Sequence, residues 1–289
     1  MATQTALLLT EIGQPLVKGS LPIPEPQESE LLIKITAAGL APLDEKLRDK
    51  NAFNIGSRLP AVLSAGIADT EAALYPINTL TSAIALFTNQ GLGIPFPGTP
   101  ESKSFDYAST KLAIIGGGSN TGKLAIQLAR IAGVGTIITT ASLTSAEELK
   151  SLGATHIIAR QATDIEQHVR AIVGDDLLYI YETINEDLKL GVSLLSNSKK
   201  GTIAHLVGPG PSESLTAQKK FEAKRIAGFS HAIPEFGQMI WKQLPIWLKN
   251  GDIKPTSYRI IEGLDVDKVN AALDEYRDGK GGARYHVRV

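Results

Sequence analysis

The sequence has 289 residues, 43% of them hydrophobic, which is enough to bury a full core in one large or two ordinary domains. The formal net charge of −1 gives no electrostatic case for a nucleic-acid or anionic-membrane partner. Cysteine is absent, so disulfides, thiol catalysis and thiolate zinc sites are excluded together.

The five histidines (His156, His168, His205, His231 and His286) are scattered without ligand spacing. They read as surface or partly buried residues, and no metal site is expected. Met1-Ala-Thr-Gln-Thr5 lacks the basic start and apolar run of a secretory leader, and no apolar run is long enough to span a bilayer. A soluble, cytoplasmic protein is the expectation.

In chain order, Ala6–Thr10 and Glu30–Ala38 are strand candidates, separated by the turn-rich Pro22-Ile-Pro-Glu-Pro26. From Lys111 the pattern changes. Strand candidates at Lys111–Ile115, Thr136–Thr140, Thr155–Ile158, Leu177–Tyr181 and Thr202–Val207 alternate with helix candidates at Gly122–Ala132, Ala146–Leu152, Ile165–Val173 and Leu188–Leu195. Alternation at this spacing predicts an α/β fold, a doubly wound parallel sheet with helices on both faces. Pro211–Lys220 is polar and reads as a surface excursion, and Arg225–Phe229 as a further strand. Glu235–Leu248 reads as a helix with Trp241 and Trp247 on one apolar face. Lys254–Ile260, a helix over Val266–Tyr276 and the strand Tyr285–Val289 close the chain. There is no internal repeat and no low-complexity tract.

The most informative stretch is Lys111-Leu-Ala-Ile-Ile-Gly-Gly-Gly-Ser-Asn-Thr-Gly-Lys123, a strand, a glycine turn and a helix start. Glycines let the backbone approach a ligand, and the free N–H groups of a helix start favour an anion. Two ligand classes compete. From Gly117 the spacing is Gly-x-Ser-x-x-Gly ending at Gly122, a dinucleotide fingerprint with Ser119 at the middle glycine. The same stretch reads G-x-x-x-x-G-K, a P-loop, but Leu124 stands where a hydroxyl must hold magnesium. No clean apolar strand ending in Asp follows; the nearest is Leu177–Glu182. In a parallel sheet, ligands bind at the carboxyl ends of the strands. That rule places Gly116–Gly122, Thr140–Ser142, Thr183–Asn185 and Val207–Gly210 on one rim.

About 20 residues beyond the loop, an acid selects NAD by binding its ribose hydroxyl. Here the sequence is Thr139-Thr-Ala-Ser142, with no acid, which favours NADP (NADPH) over NAD. Lys150 and Arg160 are the basic candidates for a 2′-phosphate. The simpler alternative is that Thr140 and Ser142 cap the helix that starts near Ala146.

A run of ordered segments then resembles the zinc-independent medium-chain dehydrogenases/reductases, of the fungal quinone-reductase and trans-enoyl-reductase type. They are Ala38–Lys46, Arg58–Leu63, Asp69–Ala73, Leu80–Leu86, the glycine loop, Leu149–His156 and Asp278–Gly282. The resemblance covers nearly the whole chain and rests on the order of these segments. It implies a Rossmann-type domain over residues 101–252 and a GroES-like β domain built from both chain ends, residues 1–100 and 253–289. It further implies that Pro42, Asp44, Lys46 and Thr81 approach the nicotinamide end of the cofactor. Gly117, Gly118, Ser119, Asn120, Thr121 and Gly122 would hold the pyrophosphate. Thr140, Ser142 and Arg160 would face the adenosine ribose, and Asn185, Leu206, Val207 and Gly208 would run along the nicotinamide. Ala283–Tyr285 is a further contact region. A plain turn is the simpler account of Pro42 and Asp44.

The chain departs from this family in one place. Family members carry roughly fifty to sixty further residues between Leu63 and Ile67, and here Ser64-Ala-Gly66 bridges them. The β domain is therefore truncated, and unpaired strand edges and exposed apolar surface are expected.

The expected activity is hydride transfer from NADPH to an activated double bond or carbonyl of a small-molecule substrate such as an enoyl thioester, enone or quinone. No catalytic acid is assigned. Tyr75 and Tyr107 lie in the first domain, and both read as core or surface aromatics. The alternative is a cofactor-binding protein that has lost catalysis. A homodimer is compatible with the family, and the sequence itself gives no interface.

Overall fold

The computed structural model describes residues 2–28, 30–62, 65–67, 74–217, 219–279 and 284–289. The chain forms two compact units, residues 77–254 and residues 1–76 with 255–289. The boundaries therefore fall near 76 and 254, where the sequence had placed them at 100 and 252. The difference comes from helix α2 (Pro76–Phe87), which is buried along almost its whole length and whose Ser82 and Asn78 bond to the segment after the glycine turn.

The unit of residues 77–254 holds a six-stranded sheet, all parallel. Its strands are β6 (Lys111–Ile115), β7 (Thr136–Ala141), β8 (His156–Ala159), β9 (Tyr179–Glu182), β10 (Gly201–His205) and β11 (Phe221–Arg225). Their order across the sheet is β11-β10-β9-β6-β7-β8. That is the doubly wound dinucleotide-fold order, which reverses direction between β6 and β9. The crossovers are α3 (Asn120–Ala132), α4 (Ala146–Leu152), α5 (Ile165–Val173) and α6 (Lys189–Leu194).

The reasons are local. The five residues of β6 are nearly all buried, as a strand covered on both faces requires. Helix α3 starts at Ser119, whose hydroxyl accepts from Gly122 N–H at 3.0 Å, and stops at Gly133 in the left-handed region. On one face of the sheet Ile115, Ile180 and Ile203 pack with Val169 of α5 and Val192 of α6. Arg170 and Lys219 both donate to the carbonyls of Ser193 and Leu195, closing the end of α6.

The other unit is joined from both chain ends. β1 (Thr3–Leu9) lies between β2 (Val17–Pro22) and β4 (Ala61–Val62), antiparallel to both. β3 (Ala37–Gly39) lies between β5 (Ala65–Ile67) and β13 (Arg284–Arg288), and β12 (Tyr258–Glu262) runs parallel to β13. Helices α1 (Pro42–Lys50) and α9 (Val266–Arg277) complete it. Leu7, Leu9, Leu40, Val269, Leu273 and Val287 form its core. Asn270 of α9 stands in for a strand neighbour, donating to Leu16 O at 3.0 Å and accepting from Leu16 N–H at 2.8 Å. Arg48 of α1 is buried and pairs with Asp274 of α9 and with Asp49, both at 2.6 Å. These partners hold its guanidinium pKa above the ordinary value, led by the Asp49 hydrogen bond.

Several expectations are corrected. Of Glu30–Ala38, only the end is a strand, within β3 (Ala37–Gly39); residues 30–36 pair with no strand among the described residues. The strand expected at Arg225–Phe229 lies at Phe221–Arg225, pairing in register with β10. Within Pro211–Lys220 a short helix, α7 (Glu213–Thr216), buries Leu215. Trp247 of α8 (Pro234–Asn250) is buried against Phe96 at 6.3 Å, whereas Trp241 is half-exposed. Their six-residue separation places them on different sides of the helix. His205 and His286 are fully buried; His286 stacks on Tyr258 with ring centroids 4.7 Å apart. Tyr107 lies in the unit of residues 77–254 and donates to Pro95 O at 2.6 Å, and Tyr75 is buried. Leu63, Ser64, Asp69–Ala73 and Lys280–Ala283, which carried part of the family resemblance, lie outside the described residues.

Arg48→Ala leaves Asp49 and Asp274 without their shared partner. It is expected to lower the unfolding free energy by about 2–3 kcal/mol in chemical denaturation of the full chain.

Candidate functional site

The strand order reverses between β6 and β9, and the loops leaving these strands stand side by side at their carboxyl ends. This is where an open parallel sheet offers a crevice. Three hydroxyls tie the loops together. Thr183 Oγ1 lies 2.8 Å from Ile115 O and 3.1 Å from Ser119 Oγ. Thr140 Oγ1 accepts from Gly116 N–H at 3.2 Å, and Thr139 Oγ1 donates to Ile114 O at 2.7 Å.

The glycines of the turn have different jobs. A Cβ on Gly117 would stand 1.9 Å from Thr139 Oγ1, and one on Gly122 would stand 2.4 Å from Gly116 O. Both are packing glycines, which let helix α3 sit directly against the end of β6. Gly118 differs: a Cβ there would meet only Ala141 Cβ, at 4.0 Å. The bare backbone at Gly118 therefore faces open space.

The N–H groups of this turn can be followed one by one. Those of Gly116, Gly117, Ser119, Gly122 and Lys123 are bonded to Thr140 Oγ1, Thr140 O, Gly116 O, Ser119 Oγ and Ser119 O. Those of Gly118, Asn120 and Thr121 have no partner among the described residues. Three free donors at the start of a 13-residue helix, beside a vacant Cβ position, fit a phosphate or pyrophosphate group.

Lys123 argues against the P-loop. Its ammonium is buried and pairs with Glu148 of α4 at 2.7 Å, so it does not face the turn. Leu124, at the magnesium position, is fully buried.

The adenosine side is mixed. Ser142 accepts from Thr144 N–H at 3.4 Å and caps the turn Leu143–Ser145, whereas the helix that starts at Ala146, which the simpler account had it cap, has no side-chain cap. Thr140 does not cap that helix; its buried hydroxyl is committed to Gly116. Arg160 is exposed beside this strand end, its N–H donating to Ala141 O at 2.9 Å, and its guanidinium has no partner among the described residues. Lys150, the other basic candidate, lies 3.5 Å from Glu147.

The loop after β9 depends on a residue the sequence did not single out as a site residue. Glu182 is fully buried, and its carboxylate accepts from Ile184 N–H at 3.1 Å, Asn185 N–H at 3.0 Å and Asn185 Nδ2 at 3.0 Å. Burial pushes its pKa up to about 7, against the effect of these hydrogen bonds. The signal was an acid ending an apolar strand with Asn three residues on. Asn185 is thus committed to Glu182 on its donor side. Gly208, with φ +83°, passes so close over this loop that a Cβ would stand 1.9 Å from Glu186 O. Val207 O meets His205 Nδ1 at 3.0 Å, and Leu206 N–H donates to Glu182 O at 3.2 Å. So the structure brings Gly117–Gly122, Thr140, Thr183, Asn185 and Leu206–Gly208 to one rim.

Thr81 and the α1 residues are used structurally. Thr81 Oγ1 donates to Ile77 O at 2.6 Å and presses on the backbone of Gly228. In the other unit, Asp44 is buried and accepts from Ala41 N–H at 2.7 Å, capping the helix that Pro42 opens. Where the simpler account of Pro42 and Asp44 was a plain turn, the structure has a helix start. Lys46 is half-buried on the same helix.

A family model described as zinc-binding dehydrogenase matches residues 121–243. The trans-enoyl reductase tenC of Beauveria bassiana is 25% identical over 228 residues, covering 76% of this chain and 56% of its own length. Thus the chain spans about half the length of this curated relative. The CurK enoyl reductase structure superposes with a TM-score of 0.76 at 17% identity, covering 98% of each chain. Mycobacterial Rv1454c, in a structure complexed with NADPH, gives a TM-score of 0.72 at 17% identity over 99% of each chain. In its strand order and glycine turn, and in these matches, the chain is similar to proteins of the medium-chain dehydrogenase/reductase type. Its similarity in sequence is to the fungal trans-enoyl reductases.

Among the described residues no donor set matches the zinc in the family model's description. The chain has no cysteine, and no group of three His, Asp or Glu converges among the described residues. Among those residues no helix is long and apolar enough to cross a membrane.

Two outcomes follow. Gly122→Ala is expected to destabilise the chain by about 1–3 kcal/mol in chemical denaturation, and Gly118→Ala by much less. For Glu182, the unfolded chain releases the proton near 4.5 and the folded chain holds it to about 7. In that window the folded state binds more protons, so this group lowers stability as pH rises and adds no further slope above it. Comparing wild type with Glu182→Gln across pH 4 to 8 should show that slope in the wild type only.

Proposed function

We propose that this chain binds NADPH at the glycine turn and reduces an activated double bond or carbonyl, such as that of an enoyl thioester, enone or quinone, without a metal ion. The observation that carries the proposal is the trio of free N–H groups at Gly118, Asn120 and Thr121, at the strand switch point beside a vacant Cβ position. The names of the similar fungal reductases and the NADPH in the Rv1454c structure support the reaction class and the cofactor.

When bound, the reduced nicotinamide supplies the hydride. The protein's part is binding and orientation. The three N–H groups hold the pyrophosphate, with Ser119 fixing the helix start behind them. Arg160 meets the 2′-phosphate at the end of β7, where no carboxylate stands to repel it. The loop set by Glu182 and Asn185, with Leu206–Gly208, forms the wall at the nicotinamide end. Substrate reduction leaves charge on an oxygen, which a conjugated acceptor spreads and hydrogen-bond donors stabilise.

A second account, cofactor binding without turnover, is favoured by the exposed apolar Leu31–Ile35 segment of the short β domain. Titration with NADPH and NADH by cofactor fluorescence, followed by assay on an enone, an enoyl thioester and a quinone, separates the two. Saturable NADPH binding with turnover is expected; binding without turnover supports the second account, and absence of binding refutes both. Arg160→Ala is expected to weaken NADPH binding about tenfold and to leave NADH binding unchanged.

A further inference from the structure

Helix α2 packs into the unit of residues 77–254 through apolar side chains, Leu80, Ala83, Ile84, Leu86 and Phe87 among them. Asn78 and Ser82 are polar and yet buried with them. Four residues apart, they lie on one face of the helix, a turn from each other. Both reach the same residue, in the first turn of α3. Ser82 Oγ donates to Thr121 O at 2.9 Å, and Thr121 Oγ1 donates to Asn78 Oδ1 at 3.2 Å.

Neither bond is a local necessity. A hydroxyl in a helix can satisfy itself on the carbonyl four residues back. Thr81 does so on Ile77 O at 2.6 Å, and Thr88, just past the end of α2, on Ile84 O at 2.9 Å. Ser82 has the Asn78 carbonyl at the same spacing and bonds across to α3 instead. Helix α3 does not need that donor either, because the groups a helix start leaves unpaired are N–H groups and not carbonyls. What the two bonds fix is the place of Thr121. Its N–H and that of its neighbour Asn120 are two of the three donors of the turn without a partner among the described residues. The hydroxyl hydrogen of Thr121 is spent on Asn78, so its backbone N–H is what it has to offer an anion.

We propose that Asn78 and Ser82 are positioning residues for the anion cradle: clamping Thr121 from α2, they hold the N–H groups of Asn120 and Thr121 in place for the cofactor's diphosphate. The proposal rests on the reading of the glycine turn as an NADPH site. Donors fixed in one backbone move together, so a shift of the helix start lengthens or bends their bonds to the ligand at once. The clamp acts on the diphosphate and not on the far end of the cofactor. Arg160, assigned to the 2′-phosphate, has no bond to α2 among the described residues.

Titrations of the full chain with NADPH, inorganic pyrophosphate and adenosine 2′-monophosphate test this on Ser82→Ala, Asn78→Ala, Thr121→Val and the double variant N78A/T121V. Circular dichroism checks that each variant keeps its fold. Thr121→Val is close to isosteric at a half-buried position, and it carries the test should Ser82→Ala fail to fold. Ser82→Ala and Asn78→Ala are expected to weaken NADPH and pyrophosphate by the same factor, about five- to tenfold, and to leave adenosine 2′-monophosphate unchanged. Thr121→Val keeps the N–H and loses the hydroxyl, so it should match Asn78→Ala. The double variant should be no weaker than either single, because one bond is lost once. NADPH binding that is indifferent to these variants would overturn the proposal and leave the cofactor reading standing. Equal weakening of all three ligands, the mark of a general loosening, would also overturn it. So would additive losses at 78 and 121, which would put the Thr121 hydroxyl on the ligand itself. A wild type that does not bind NADPH would overturn the cofactor reading, and the proposal with it.

Discussion

The close approach of bare backbone at the end of β6 is the constraint on which the site depends. Gly117 passes against Thr139 and Gly122 against the Gly116 carbonyl, at distances no side chain allows. That contact sets the first turn of α3 directly over the strand end. It also decides which donors are spent inside the turn and which three remain. The proposed phosphate site is thus a by-product of tight packing, because helix-start N–H groups that the fold cannot satisfy are the ones a ligand can.

The charges near the turn follow the same logic. Lys123 is drawn away by Glu148, and Glu182 is drawn inward to shape the loop after β9. The turn itself thus offers N–H dipoles, with the exposed Arg160 standing at the neighbouring strand end. A site of this kind suits an extended diphosphate with a second anionic group some distance away. It does not suit a magnesium-bound triphosphate, which needs a lysine and a hydroxyl where this chain has an engaged lysine and a buried leucine.

The parallel sheet was legible in the sequence because its signals are local. Each strand is a short apolar run, each crossover has its own amphipathic period, and α4 and α5 fall on their expected residues. The β unit was less legible because pairing decides it. Glu30–Ala38 has the composition of a strand, yet among the described residues only Ala37–Gly39 finds strand neighbours, in Ala65–Ile67 and Arg284–Arg288. Strand propensity marks what fits a sheet and cannot supply the partner. The expected exposed apolar surface is present, in Leu31–Ile35. At the site, the glycine spacing named the turn, but it could not show that Thr140 is committed to Gly116 or Thr81 to Ile77. Hydroxyl residues have a backbone alternative wherever one is in reach, and sequence does not reveal which they take. Glu182 escaped notice for a related reason, since burial and three donors from the next loop give it its role.

The most direct test is to follow the backbone amide resonances of the full chain by NMR during titration with NADPH, with magnesium-ATP as the comparison. Large shifts at Gly118, Asn120 and Thr121 with NADPH, and weak ones with magnesium-ATP, are predicted. Shifts at those three amides with magnesium-ATP alone, or NADPH shifts confined to residues away from the turn, would contradict the assignment of the glycine turn as the cofactor cradle.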